Sequence, residues 1–204
     1  MGQGAEARDR AELLSDPRKR ATVLTAVGRA LLERDAAGGL AALRRARAAT
    51  EAIADPFWRA RALRTVAGAL AQAGRWDDAR AVAETIADPD KRAGALREVA
   101  GALAQAGDTQ AAQATFAAAR AVAETIADPR ERAWALREVA GALINVGQID
   151  DTVALLMRSW ARAQTVDELT KLFTIDASLL RAYPTLGSDL PEAFDWVERV
   201  VRAG

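Results

Sequence analysis

Residues 79–103 read ARAVAETIADPDKRAGALREVAGAL, and residues 119–143 repeat them as ARAVAETIADPRERAWALREVAGAL, with differences at only three positions. Near-identity at this length is typical of a repeat architecture, in which each unit buries its apolar face only by stacking on its neighbours. The sequence therefore predicts an array of helical repeats that acts by presenting a surface.

Four Asp-Pro pairs mark where the repeats begin, at Asp16-Pro17, Asp55-Pro56, Asp88-Pro89 and Asp128-Pro129. An Asp at the N-cap accepts a bond from a free backbone N–H, and a Pro at the next position loses nothing because its N–H would be unpaired there. Each pair therefore predicts the start of a first helix. Gly74, Gly107 and Gly147 predict where these helices end.

Both helices of a repeat carry an apolar stripe at helical spacing. The first helix has a large, large, small, large pattern, as in Leu63, Val66, Ala67 and Leu70. The second helix follows the glycine and carries Ala79, Val82, Ala83 and Ile86. The repeat that starts at Asp88 is seven residues longer than the one before it. Since seven residues make close to two helical turns, its second helix keeps the same apolar face.

This pattern, with an Ala in the first turn of the second helix and a closing Pro, resembles the tetratricopeptide repeat. It is a degenerate, alanine-rich version. The family's aromatic positions are Leu or Ala here, Ala83 replaces a large residue, and Pro89 comes two residues early. The resemblance covers roughly residues 16–160. It implies an all-α fold, a right-handed α-solenoid of antiparallel helix pairs.

The domain organisation follows from these boundaries. We expect a frayed N-terminus over 1–9, four repeats over 10–163, and divergent capping helices over 164–204. The four repeats are expected at 10–54, 55–87, 88–127 and 128–163. Large apolar residues increase after the last repeat, and the end of an array needs a unit that covers its final apolar face. Trp160 and Trp196 are assigned to the core of this cap.

Composition excludes several classes of function. The chain has 28 basic and 28 acidic residues, and its formal net charge of zero gives no attraction to nucleic acid. No apolar run approaches the ~18 residues of a membrane span, and the polar first residues do not form a signal peptide. The absence of Cys and His removes the commonest nucleophiles, general bases and metal ligands. We predict a cytoplasmic protein that is not an enzyme and uses no cofactor or metal.

In tetratricopeptide proteins the first helices line a concave groove, and the resemblance implies eight candidate binding residues there. They are Arg61, Arg64, Gln72, Arg97, Gln105, Trp134, Arg137 and Asn145. Arg64, Arg97 and Arg137 recur once per repeat, and a guanidinium binds a carboxylate through two parallel hydrogen bonds. A peptide or protein segment of acidic character is the predicted partner. The alternative is a solvated helix face on which Glu98 and Glu138 neutralise the arginines that precede them.

Two further patterns are interpreted structurally. Gly68, Gly101 and Gly141 fall in mid-helix, where each costs about 1 kcal/mol relative to Ala. We expect a close approach of another backbone there, and packing between helices is favoured over a ligand strand. A second set of arginines follows each Pro by three residues, at Arg20, Arg59, Arg92 and Arg132. This spacing favours an Asp–Arg pair across the first helical turn.

Tryptophans that break the repeat are candidate contacts for a partner, because Trp is enriched at binding hot spots. Trp134 replaces Gly94 in an otherwise matching helix, and Trp76 lies in a turn where the other repeats have no aromatic residue.

The predicted function is a non-catalytic protein–protein interaction module, a scaffold or sensor, that binds a peptide or protein segment in its groove. One alternative is an element that assembles into homo-oligomers through exposed apolar faces. Another is the peptide-responsive sensor region of a larger bacterial signalling or defence protein, which the resemblance implies.

Overall fold

A computed structural model describes residues 2–148 together with Asp151, Thr152 and Leu155. Within these residues the chain forms helices and no strand. The helices are α1 (Gly2–Glu12), α2 (Pro17–Leu31), α3 (Ala36–Glu51), α4 (Pro56–Gln72), α5 (Trp76–Glu84), α6 (Pro89–Gln105), α7 (Thr109–Glu124) and α8 (Pro129–Asn145). The seven-residue difference between α5 and α7 confirms that the longer repeat extends its second helix.

The Asp-Pro pairs begin the first helices α2, α4, α6 and α8, as predicted. Asp55 has extended backbone angles and its carboxylate accepts the N–H of Trp58 at 3.1 Å. Asp88 caps α6 in the same way through the N–H of Lys91 at 3.0 Å. A side-chain cap of this kind stabilises a helix by about 1 kcal/mol.

The predicted glycines end these helices in a left-handed conformation. Gly74, Gly107 and Gly147 have φ angles of 69°, 86° and 75°. After Gly74, the N–H of Arg75 donates to the carbonyl of Leu70 at 2.9 Å, which closes a Schellman turn. Only glycine adopts this conformation without a steric cost, so the ends of α4, α6 and α8 are encoded locally.

The contacts divide the chain into two units, one ending at Ala123 and the other beginning at Glu124. In the first unit the first helices stack in series, α2 on α4 and α4 on α6, while α3 packs on α2 and α4, and α5 on α4 and α6. Connections of three or four residues make each helix pair antiparallel. This is a solenoid-like arrangement of antiparallel helix pairs.

The core of the first unit consists of the predicted apolar stripes. Val66 and Val82 are completely buried, and Leu70 is 4% exposed. Small residues alternate with these large ones, and Ala67 and Ala83 are also buried. Burial of Ala lets helices approach closely, which explains how an alanine-rich sequence packs with few aromatic residues. In the second unit, α8 buries its own stripe of Leu136, Val139, Ala140 and Leu143.

The second arginine set is structural, but its predicted partner was wrong. The Nε of Arg59 donates to the carbonyl of Ile53, six residues earlier, at 2.8 Å, rather than to the capping Asp. Arg20 bonds to Leu14 in the same manner at 2.9 Å. These arginines satisfy a carbonyl left free before the next helix begins. Arg92 departs from the set, because its Nε is buried without an acceptor.

The close approach expected at the mid-helix glycines was also placed wrongly. A Cβ at Gly68, Gly101 or Gly141 would have nothing within 4 Å. The close approach occurs instead between α2 and α3, where a Cβ on Gly39 would lie 2.9 Å from the carbonyl oxygen of Gly28. Gly39 therefore lets two helix backbones touch.

Residues Gly2–Glu12 form helix α1. α1 packs against α2 and α3, and Ala11 is 3% exposed. Arg8 donates to the carbonyl of Gly38 at 3.2 Å, and Arg45 lies 3.7 Å from Asp9. The frayed segment expected over 1–9 remains a prediction. The predicted cap at 164–204 with Trp160 and Trp196 lies outside the described residues, and the handedness of the array and the four repeat boundaries remain predictions.

Candidate peptide-binding surface

In the first unit, five of the candidate residues lie on the first helices α4 and α6. They are Arg61, Arg64 and Gln72 on α4, with Arg97 and Gln105 on α6. Arg61, Gln72 and Gln105 are exposed, whereas Arg64 and Arg97 are half-buried. Because the buried stripe of each helix faces the core, these side chains share the more open side of α4 and α6, which contact each other.

Arg64 is engaged by a carboxylate of the next helix. Its Nε donates to Oε1 of Glu98 at 3.0 Å, and its Nη2 contacts the same oxygen. The hydrogen bond that Arg64 donates to Glu98 raises the pKa of the Arg64 guanidinium above its ordinary value. A Cβ at Gly94 would lie 4.0 Å from Nη1 of Arg64, at ordinary van der Waals distance, so Gly94 lies beside the guanidinium. Arg64 therefore ties α4 to α6 and its charge is compensated.

Arg97 is left without the partner expected for it. The sequence offered Glu98 as its neutralising neighbour, but Glu98 faces Arg64 on α4. Across the part of the chain that the structure describes, Arg97 has no ion pair, and its Nε is buried without an acceptor. A buried donor without an acceptor costs about 1–3 kcal/mol. Arg92 on the same helix also has a buried Nε without an acceptor, so Arg97 is one of two such arginines on α6 and the one among the candidate residues.

Arg61 is also free of carboxylates among residues 2–148, and it lies instead beside an aromatic ring. Its Cζ is 5.5 Å from the ring centroid of Trp58. A guanidinium at this distance from an indole is attracted by the ring quadrupole, by about 0.5–1 kcal/mol at an exposed site. Arg61 and Arg97 thus leave two uncompensated positive charges on α4 and α6, whereas Arg64 contributes none.

The second unit carries the remaining candidates on α8. Nη2 of Arg137 lies 3.3 Å from Oε1 of Glu138, so this arginine has the neighbouring partner predicted by the solvated-face alternative. Trp134 is 49% exposed and Asn145 is exposed. The large open indole of Trp134 is compatible with contact to a partner, although α8 buries its apolar stripe without it.

Sequence reasoning missed a pair of exposed aromatic side chains on α4. Phe57 and Trp58 are 55% and 38% exposed, and their rings meet edge to face with centroids 5.3 Å apart. The other interrupting tryptophan of the first unit, Trp76, is half-buried. The signal was present in the repeat, because α6 has Asp90 and Lys91 at the positions of the two aromatic residues.

Two absences hold for the described ranges. No helix there combines the length and the apolar character needed to cross a bilayer. That same part of the chain also holds no cluster of three side chains able to coordinate a metal ion.

Comparison with known proteins gives a likeness of fold alone. No protein-family model matches the chain, and no curated protein sequence matches it significantly. Among solved structures, Ton1535 from Thermococcus onnurineus NA1 is similar over 73% of this chain, with 22% identity and a TM-score of 0.49, and this chain spans 45% of its length. A putative kinesin light chain from Podosopora anserina, with nearly identical TPR-like repeats, is similar over 92% of this chain and 95% of its own, with 20% identity and a TM-score of 0.43. A second structure of that protein, with one substitution, covers the same shares at 19% identity and the same TM-score.

Proposed function

We propose that this all-α, TPR-like repeat is a non-catalytic protein-interaction module that holds an acidic peptide segment against the first helices α4 and α6. The observation that carries the proposal is the half-buried Arg97, which has no carboxylate partner and a buried Nε without an acceptor within the described residues. A carboxylate or peptide carbonyl brought by a partner would bind where the array itself supplies no anion.

Charge and shape support the same conclusion. Arg61, Arg64, Arg97 and Lys91 outnumber the two carboxylates that act on Arg64, Glu98 and Asp90, so this surface has a net charge of two positive units at neutral pH. The exposed amides Gln72 and Gln105 lie further along the same helices and can hydrogen-bond to an extended backbone. An acidic peptide would therefore gain charge-assisted bonds near one end of α4 and α6 and neutral ones near the other.

The open space at two glycines also supports the proposal. Gly68 and Gly101 have nothing within 4 Å of the position a Cβ would occupy. Each glycine costs about 1 kcal/mol of helix stability relative to Ala. Since helix packing does not use this space, a ligand backbone lying close to α4 and α6 accounts for residues that the fold itself does not need.

Selection from a random peptide library against the full chain tests the proposal. Wild-type protein is expected to enrich peptides rich in Asp and Glu. The variant with Arg61→Glu and Arg97→Glu is expected to lose this enrichment. The matched control carries Arg44→Glu and Arg47→Glu, the same change of charge at two exposed arginines of the second helix α3. It should enrich acidic peptides as wild type does.

Circular dichroism must first show equal helicity in the three proteins. No enrichment of acidic peptides by wild type would contradict the acidic preference. Equal losses in the two double variants would show that net charge alone drives binding, and would remove the assignment to α4 and α6.

A further inference from the structure

The first turn of α4 exposes two large aromatic side chains where the fold does not require them. Phe57 and Trp58 follow the Asp-Pro pair and are 55% and 38% exposed. α4 contributes Ala60, Leu63 and Val66 to the core instead. The two adjacent rings form a small exposed apolar patch that is a candidate contact surface.

Comparison between the repeats shows that these positions are normally charged. The two residues that follow each Asp-Pro pair are Arg18 and Lys19 in α2, Phe57 and Trp58 in α4, Asp90 and Lys91 in α6, and Arg130 and Glu131 in α8. A charged pair therefore serves the helix start in three of the four first helices. Only α4 places an apolar pair at this site. The other three first helices begin without aromatic residues there, so the repeat itself does not require them.

Positive charge surrounds the aromatic pair. The Cζ atoms of Arg18 and Arg61 each lie 5.5 Å from the ring centroid of Trp58. Residues 16–20 and 55–61, which flank the rings, contain five basic and two acidic side chains, a net charge of +3. The apolar surface is therefore set in a basic rim.

The carboxylates in this rim are occupied by the protein itself. Asp16 accepts the N–H of Arg18 at 2.8 Å and lies 3.5 Å from its guanidinium. Asp55 accepts the N–H of Trp58. Arg61 has no carboxylate partner in the described segments. An incoming anion would therefore meet the uncompensated charge of Arg61 beside an exposed aromatic surface, a combination of Trp and Arg that is enriched at binding hot spots.

We propose that Phe57, Trp58, Arg18 and Arg61 form a binding site for an apolar side chain that is flanked by acidic residues in a partner peptide. The apolar side chain packs on the two rings, and the flanking carboxylates bind the two guanidinium groups. The site shares Arg61 with the surface on α4 and α6, so the inference rests on the proposed function and adds an apolar determinant to its acidic preference.

Charge argues against a second copy of the chain as the occupant. If the patch faced itself across a twofold axis, it would bring two surfaces of charge +3 together, and like charges repel each other across an interface. A partner with the opposite charge avoids this repulsion.

Fluorescence polarisation with three labelled peptides tests the site. The first peptide has a central Leu between Asp residues, the second replaces this Leu with Ser, and the third keeps the Leu but replaces every Asp with Asn. Wild-type protein is expected to bind the first peptide at least about tenfold more tightly than the second, as truncation at a hot spot would predict. It should bind the third most weakly.

The decisive variant carries Phe57→Asp and Trp58→Lys, which copies the pair found in α6 and leaves the net charge unchanged. It should bind the first and second peptides equally, with an affinity for the second within about twofold of wild type. The matched control carries Leu13→Asp and Val23→Lys, the same charge-neutral change at two exposed apolar residues outside the aromatic pair. It should keep the tenfold preference.

The outcomes distinguish this inference from the proposed function. Binding of both acidic peptides without a preference for Leu in wild type would overturn the aromatic site and leave the acidic surface intact. A preference that survives in the Phe57→Asp, Trp58→Lys variant would also overturn it. Failure to bind any peptide would overturn both proposals. Sedimentation that shows self-association of wild type, abolished by the same variant, would assign the rings to assembly instead.

Discussion

We expect Gly39→Ala to destabilise the protein and Gly101→Ala to stabilise it, although both glycines lie within helices. Removal of a helical glycine gains about 0.5–1 kcal/mol, because Ala loses less backbone entropy on folding. Neither residue has a positive φ, so both backbones accept Ala. The difference comes from what the new methyl group would meet.

At Gly39 the methyl group would lie 2.9 Å from the carbonyl oxygen of Gly28 and 3.0 Å from the backbone nitrogen of Leu32. Both atoms belong to the backbone of α2 or its last turn, so no rotamer change relieves the clash and α2 must move away from α3. Overpacking of this kind costs about 1–3 kcal/mol. After the helix gain is subtracted, a net loss of about 1 kcal/mol is expected. At Gly101 nothing lies within 4 Å, and the gain of about 1 kcal/mol is kept.

Urea denaturation followed by circular dichroism at 222 nm measures both effects as opposite shifts of the midpoint at constant slope. In thermal melts, each kcal/mol corresponds to about 2–4 °C for a chain of this length. Shifts in the same direction, or a stabilised Gly39→Ala variant, would refute the reasoning that backbone contact between α2 and α3 explains Gly39.

Three more outcomes are expected. Arg59→Ala should lower the free energy of unfolding by about 1 kcal/mol because it removes a hydrogen bond to a backbone carbonyl. Arg92→Ala should lower it less in the same urea titration, because the Nε of Arg92 lacks an acceptor. Equal losses in the two variants would argue against a stabilising bond from Arg59 to the carbonyl. Glu98→Gln should strengthen binding of the acidic Leu peptide several-fold, because it releases Arg64. It should lower the free energy of unfolding by less than about 1 kcal/mol, because the side chains of Arg64 and Glu98 are both over a third exposed. Unchanged affinity in fluorescence polarisation would contradict a role for Arg64 in binding. Backbone hydrogen bonding to Arg18 holds the pKa of Asp16 below its ordinary 3.8, so the stability that the ionised Asp16 contributes is present above pH 3.8 and is lost as the pH falls through the folded-state pKa. The urea midpoints of wild type and Asp16→Asn should therefore converge in acid. A constant gap between the two midpoints would exclude this source of pH dependence.

Most of the local structure followed from the sequence, and the candidate surface followed only in part. The structure confirms the helix starts predicted at Asp-Pro, the helix ends predicted at glycine and the apolar stripes, because each depends on residues within one or two helical turns. The positions of Arg64 and Arg97 on α4 and α6 also held. Their partners did not, since Glu98 lies next to Arg97 in the chain but reaches Arg64 on the neighbouring helix.

The arginines after each Pro show the same division. Their spacing correctly indicated a structural role. The spacing alone does not determine whether the guanidinium binds the carboxylate of the capping Asp or a backbone carbonyl of the preceding connection. The folded connection presents the carbonyl of Ile53 to Arg59, and only the path of the chain between two helices determines that choice.

Local sequence accounts for the series of capped helix pairs, because caps, glycine ends and apolar period act through short-range sterics and hydrogen bonds. The tertiary structure alone decided which glycine permits two backbones to touch, which carboxylate compensates Arg64, and that Phe57 and Trp58 remain exposed. These three features depend on the distance and rotation between helices. Those quantities arise from the packing of many side chains at once, and no single repeat contains them.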